Sequence, residues 1–150
     1  MPQSLDNVLV HIIFSTHERH PYLDKSVRAN LHGYLASIAR FLSCECLRVG
    51  GVEDHVHLAI RLSRTITIAA LVQELKTASS IWLKSQSPAL ASFAWQRGYG
   101  VFSVGHSDLD ALVQYIENQE THHKSRSFQA EYRLILEKYE IDWDEQFVWQ

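Results

Sequence analysis

The stretch GGVEDHVHLAI, residues 50–60, sets two histidines one residue apart in what otherwise reads as an apolar β-strand. Side chains alternate along a strand, so Val56, Leu58 and Ile60 share one face while His55, His57 and Ala59 share the other. The apolar set needs a cover of helices, which sends both imidazoles out from the opposite face. The run just before it, CECLRVGGV at residues 44–52, reads as a second strand, and the turn at residues 50–54 joins the two as a hairpin.

Working outward, NVLVHIIFST at residues 7–16 is another alternating strand, with Val8, Val10, Ile12 and Phe14 on one face and Leu9, His11 and Ile13 on the other. Asp24 is placed to cap a helix whose apolar stripe is Val27, Leu31, Tyr34, Leu35, Ile38, Phe41 and Leu42. A second helix is expected at about residues 67–84, burying Ile68, Leu71, Val72, Leu75 and Trp82. Its polar face carries Gln73, Lys76, Thr77, Ser80 and Lys84. FAWQRGYGVFSV, residues 93–104, reads as a fourth strand in which Gly98 and Gly100 mark a bulge or a close backbone approach. Ser107, with Asp110 three residues on, opens a third helix as a short capping box, and a last helix covers about residues 127–139. The order strand, helix, strand, strand, helix, strand is the split pattern of an α+β, ferredoxin-like antiparallel sheet, with both crossover helices on one face. The other face is expected to be open and to carry the site. One domain spanning residues 1–150 accommodates all of this.

Composition bounds the function classes. The chain is 46% hydrophobic and 21% charged, ordinary for a globular protein, and has no apolar run long enough to span a membrane. No basic region precedes the first apolar stretch, so a cytoplasmic location is expected. Cys44 and Cys46 lie too close along one strand for good disulfide geometry and are read as reduced. The formal net charge of −3 argues against broad electrostatic capture of nucleic acid. Five acids in the last fourteen residues account for it, leaving a near-neutral body that can still carry a local basic patch.

Two imidazoles are close enough to share one metal ion but do not make a firm site, so a third ligand must come from elsewhere. Two polar residues on an exposed strand face are the simpler alternative. The third helix, SDLDALVQYIENQETHHKSRSF at residues 107–128, buries Leu109, Leu112, Val113 and Ile116, and the helical period groups Tyr115, Gln119 and His122 on one flank. A tyrosine and a possible ligand are thus neighbours, although a core-edge tyrosine beside a solvated glutamine fits the same pattern.

DHVHL, WQRGYGVFSV and YIENQETHH, in that order, resemble the single-tyrosine HUH transposases of bacterial insertion sequences (the IS two-hundred type), including the REP-associated tyrosine transposases. The resemblance runs from HIIFST to the closing DEQFVW. It implies His55, His57 and Gln119 as ligands of Mg or Mn, and Tyr115 as the nucleophile that cleaves and rejoins single-stranded DNA through a 5′-phosphotyrosine. It further implies a DNA hairpin as partner and a homodimer, in which the tyrosine helix of one subunit can complete the site of the other. The stretch SVGHSD, with Gly105, permits such a hinge, and a short loop folding the helix onto its own sheet is the alternative.

Other features fit around this reading. Lys76, Lys84, Arg97, Lys124 and Arg126 can track phosphates, and Trp95, Tyr99 and Phe102 can stack on bases or fill the core. Glu53 and Asp54 are placed to orient the histidines. Two alternatives stay open: a domesticated DNA-hairpin-binding protein that no longer cuts, and a metal hydrolase using water, the histidine pair and a carboxylate such as Glu53. The resemblance of HVHLA to the histidine-triad hydrolases fails at Ala59, where their third histidine would stand.

Overall fold

The computed structural model describes residues 2–150. Four antiparallel strands, β1 (Leu9–Ser15), β2 (Glu45–Gly51), β3 (His55–Arg61) and β4 (Gly100–Val104), form one sheet in the order β2-β3-β1-β4. The crossovers are α1 (Lys25–Phe41) and α2 (Ile68–Gln86), and β4 is followed by α3 (Leu109–Glu117), α4 (Gln119–His122) and α5 (Phe128–Lys138). This is the expected ferredoxin-like order. Asp24 and Thr67 cap α1 and α2 by accepting from Ser26 N and Ala70 N, and Ser127 caps α5 by accepting from Ala130 N.

The strand alternation sorts side chains into two cores. Val10, Ile12, Phe14, Val56, Leu58 and Ile60 meet Leu31 and Leu35 of α1 and Leu71 and Leu75 of α2. Each fully buried aliphatic side chain contributes about 1.5–3 kcal/mol. Phe41 falls outside this core and is exposed, because helical spacing turns it away from the side that Leu35 and Ala39 bury, while Leu42 next to it still packs against the core.

The second face is not open. Ile13 and Phe102 of the sheet pack with Phe128, Tyr132 and Leu136 of α5, and α3 lies against β2 and β3. The C-terminal segment closes the layer through Trp143, Val148 and Trp149. The sequence expectation of a bare face failed because it left the C-terminal helices without an apolar partner, and this face is the one they cover.

Two other expectations change. The fourth strand is confined to residues 100–104; before it only Trp95 bridges to Thr16, and Lys76 Nζ donates to the carbonyls of Gln96, Arg97 and Gly98, holding that segment off the ladder. The third helix has no capping box. A 3-10 turn at His106–Asp108 leads into α3, and Asp108 at its N-cap makes no side-chain cap bond. Both cysteines are free, and no helix among the described residues is long and apolar enough to cross a membrane.

Gly50 sets how closely α3 approaches the sheet. A Cβ there would sit 2.4 Å from the Ile116 carbonyl oxygen and 2.7 Å from its Cγ2. Gly50→Ala must therefore push α3 outward, at a cost of about 1–3 kcal/mol. Urea denaturation should show that loss; unchanged stability would mean that α3 does not rest on β2 at this point.

Candidate metal centre and tyrosine site

The hairpin delivers His55 and His57 to the second face, and both are fully buried there. β1 runs beside β3 with Ile13 opposite His57 and His11 opposite Ala59, so His11 joins them on that face. Each ligand-type histidine has one ring nitrogen fixed. His55 Nδ1 lies 2.6 Å from Asp54 Oδ1, and His57 Nδ1 lies 2.8 Å from His11 Nε2. Both Nε2 atoms therefore point inward, an arrangement that sets ring orientation in metal sites.

α3, α4 and α5 supply the rest. Gln119 Oε1 is 3.2 Å from His55 Nε2 and 3.1 Å from His123 Nε2. Glu131, 2% exposed, brings Oε1 to 3.1 Å from His57 Nε2 and 3.2 Å from His123 Nε2, with His55 Nε2 at 3.5 Å. His55, His57, His123 and Glu131 form a cluster that can hold a metal ion. Tyr115 donates its phenolic hydrogen to Glu131 Oε2, and its ring centroid is 5.8 Å from that of His57. His122 stacks on the tyrosine ring. α3 folds onto its own sheet, so this tyrosine stands beside the histidines of the same chain. In this single chain Ile116 seats α3 against Gly50 of its own β2.

Charge in this buried centre is strongly coupled. Burial opposes ionisation of Glu131, but hydrogen bonds from His123, His55 and His57 outweigh it and hold the carboxyl well below its usual range. Burial also opposes protonation of His55; the hydrogen bonds to Asp54 and Glu131 prevail and raise it to about 9. His57 has no such surplus, and burial lowers it to about 4. Burial, followed by the negative charge of Glu131, pushes the Tyr115 phenol above its ordinary value.

Of the sequence candidates, the structure brings together His55, His57, Gln119 and Tyr115, and it sets Asp54 rather than Glu53 on a histidine. Glu53 instead faces Arg28 at 3.9 Å. Arg126 lines a cleft of about 620 Å³ next to Tyr115, together with His11, Glu131 and Lys138. Lys124 is exposed in the turn after α4. Lys76, Lys84 and Arg97 border a different groove beside α2, and the Lys76 ammonium is occupied by carbonyls. Trp95 and Phe102 are core residues, and Tyr99 alone of the three aromatics is substantially exposed.

Sequence reasoning missed His11, His123, Glu131 and Lys138. His11 shared the parity of the histidine face, and His123 follows Gln119 by one helical turn; both signals were legible. Glu131 lies on a separate helix, and no spacing rule links it to β3.

The family model for IS200-like transposases matches residues 4–119. The chain belongs to the IS200-like transposase family. Among solved structures, this transposase is similar to a Deinococcus radiodurans protein named as a candidate transposase, at 28% identity and a TM-score of 0.62, covering 79% of this chain and 98% of that one. It shares its fold with a REP-associated tyrosine transposase bound to a REP hairpin, at 14% identity and a TM-score of 0.61, covering 82% and 72% of the two chains. No curated protein matches it.

The raised value of His55 makes the stability of the metal-free transposase depend on pH. With 6.5 in the unfolded chain and about 9 in the folded one, its contribution is complete below about pH 6.5 and is lost as pH rises through 9. Asp54→Asn removes a main cause of the rise. In chelator, its melting temperature should start lower at about pH 6 and fall less than the wild type's towards about pH 9.5. Parallel pH profiles would show that Asp54 does not hold the His55 proton.

Proposed function

We propose that this transposase cleaves and rejoins single-stranded DNA, with Tyr115 as nucleophile and a divalent ion held by His55, His57 and Gln119. The observation that carries the reading is the position of the Tyr115 hydroxyl, which shares the Glu131 carboxylate with the imidazole cluster and opens on a cleft bearing Arg126 and Lys138. The donor set of imidazoles, amide and carboxylate suits a divalent cation. When bound, such an ion, Mg or Mn by the family resemblance, supplies Lewis acidity at a non-bridging phosphate oxygen.

The residues of the chain do the rest. Arg126, Lys138 and the exposed Lys124 attract the DNA backbone, and the cleft orients one phosphodiester against Tyr115. The Tyr115 oxygen attacks phosphorus as the bond to the 3′-oxygen breaks. Glu131 Oε2, the acceptor of the phenolic hydrogen bond, aims the Tyr115 oxygen; the phenolic proton is lost to water as the new bond forms, and the leaving 3′-oxygen takes one up from water. A 5′-phosphotyrosine and a free 3′-hydroxyl result. The linkage keeps the phosphodiester energy, so the reverse attack rejoins DNA without ATP. Lys84 and Arg97 beside α2 are left to contact a more distant part of the DNA, with a hairpin as the substrate feature. Excision involves two DNA ends, and a homodimer supplies two tyrosines by symmetry.

The test uses single-stranded oligonucleotides with hairpins from the DNA flanking the gene, incubated with the protein and Mn²⁺. Wild type should form a covalent adduct at Tyr115, visible on a denaturing gel. Tyr115→Phe should bind the same DNA with similar affinity and form none, and a chelator should silence the wild type reversibly. Normal cleavage by the Phe variant would favour a water nucleophile. Tight binding by wild type with neither cleavage nor adduct would make the protein a hairpin-binding relative.

A further inference from the structure

We propose that His123 and Glu131 are metal ligands too, making a five-donor site that takes a first-row transition ion in preference to magnesium. The inference rests on the reading that His55, His57 and Gln119 hold a divalent ion. It assigns two residues outside the histidine pair and glutamine, and it narrows the ion.

The first argument is geometric. Five donor atoms converge: Nε2 of His55, His57 and His123, Oε1 of Gln119 and Oε1 of Glu131. The five imidazole-to-oxygen separations observed among them are 3.1, 3.1, 3.2, 3.2 and 3.5 Å, and the ligand atoms of the three histidines and Glu131 all lie within 4.8 Å of one another. Donors bound to one ion at about 2.1 Å stand roughly 3.0 Å apart at right angles and roughly 3.4 Å apart at tetrahedral angles. The imidazole-to-oxygen spacings are those of a coordination shell, and a small inward shift of the imidazoles closes the rest.

The second argument is a hydrogen-bond count. A carboxylate oxygen offers two lone pairs, yet Glu131 Oε1 faces three imidazole nitrogens. His55 Nδ1 is engaged with Asp54, so a proton on its Nε2 as well would require an imidazolium. His57 Nδ1 is likewise engaged, with His11. One cation at the centre accepts all these inward lone pairs at once and leaves Asp54 and His11 fixing the outer nitrogens. Burial makes the difference matter, since His55 and His57 are fully enclosed and unmatched polar atoms there cannot turn to water.

The choice of ion follows from the donors. Magnesium prefers six oxygens in near-ideal octahedral order and gives up its waters reluctantly, whereas imidazoles suit manganese and the later first-row ions. Three imidazoles in a buried site therefore select against magnesium.

The test is direct binding to the full chain. Co²⁺ is titrated by visible absorption, and Mn²⁺ and Mg²⁺ by calorimetry, in wild type, Glu131→Gln, His123→Ala and His57→Ala. Far-UV circular dichroism checks folding. Wild type should take one Co²⁺ and bind Mn²⁺ at least about 100-fold more tightly than Mg²⁺. Glu131→Gln and His123→Ala should each weaken Co²⁺ and Mn²⁺ by about 10- to 100-fold and shift the Co²⁺ bands. Glu131→Gln is nearly isosteric and His123 sits at a helix end, so the two variants test the assignment independently. Wild-type affinity and spectrum in both, alongside lost binding in His57→Ala, would overturn the added ligands while leaving the histidine site intact. Equal affinity for Mn²⁺ and Mg²⁺ would overturn the selectivity, and a wild type that takes no ion would sink the metal reading beneath it.

Discussion

Burying the Glu131 carboxylate costs several kcal/mol unless donors surround it, and the second face of the sheet is organised around that requirement. One oxygen meets His55, His57 and His123; the other meets Tyr115 and Gln119 Nε2, the latter at 3.3 Å. Five side chains from β3, α3, α4 and the turn after it are thus tied to a single group on α5. Tyr115 and the imidazole cluster are kept in contact through that carboxylate.

The rest of the fold sets where α5 and α3 can sit. Gly100 lets Tyr132 come down on β4, where a Cβ would lie 2.5 Å from the phenolic oxygen, and Gly50 does the same for α3. The acidic C-terminal segment has a structural task here. Glu145 accepts from Arg133, Trp143 and Trp149, and the Arg133 guanidinium lies over the Trp149 ring, so the segment straps α5 from outside. Arg28 ties α4 to α1 through Glu120. The net negative charge of the chain therefore says little about the tyrosine site, because several acids are engaged locally while Arg126 and Lys138 face the cleft.

The same sheet serves opposite ends on its two faces. Facing α1 and α2 its buried side chains are apolar and supply the stability. Facing α3 and α5 it mixes Ile13 and Phe102 with three histidines, and the polar centre is tolerated because the apolar ring of Phe128, Tyr132 and Leu136 packs beside it. A buried polar cluster next to a packed core is rigid, and that rigidity fixes the Tyr115 phenol relative to the histidines.

The sequence by itself determined the ferredoxin-like order, the capped crossover helices and the parity of β3. Those follow from local rules: two-residue alternation, 3.6-residue stripes and capping side chains act within a few positions. The same rules placed His55 and His57 on one face and Tyr115 with Gln119 on one flank, and the family match spans all four positions. What only the tertiary structure decided is which groups meet across elements. Glu131 stands 74 residues from His57 along the chain and reaches it only because the apolar stripe of α5 lands on the second face. Lys76, read as a phosphate contact, turned inward because the carbonyls of residues 96–98 arrived above it from another segment. Local patterning fixes the direction of a side chain relative to its own element; the partner it finds depends on how whole faces are buried against each other.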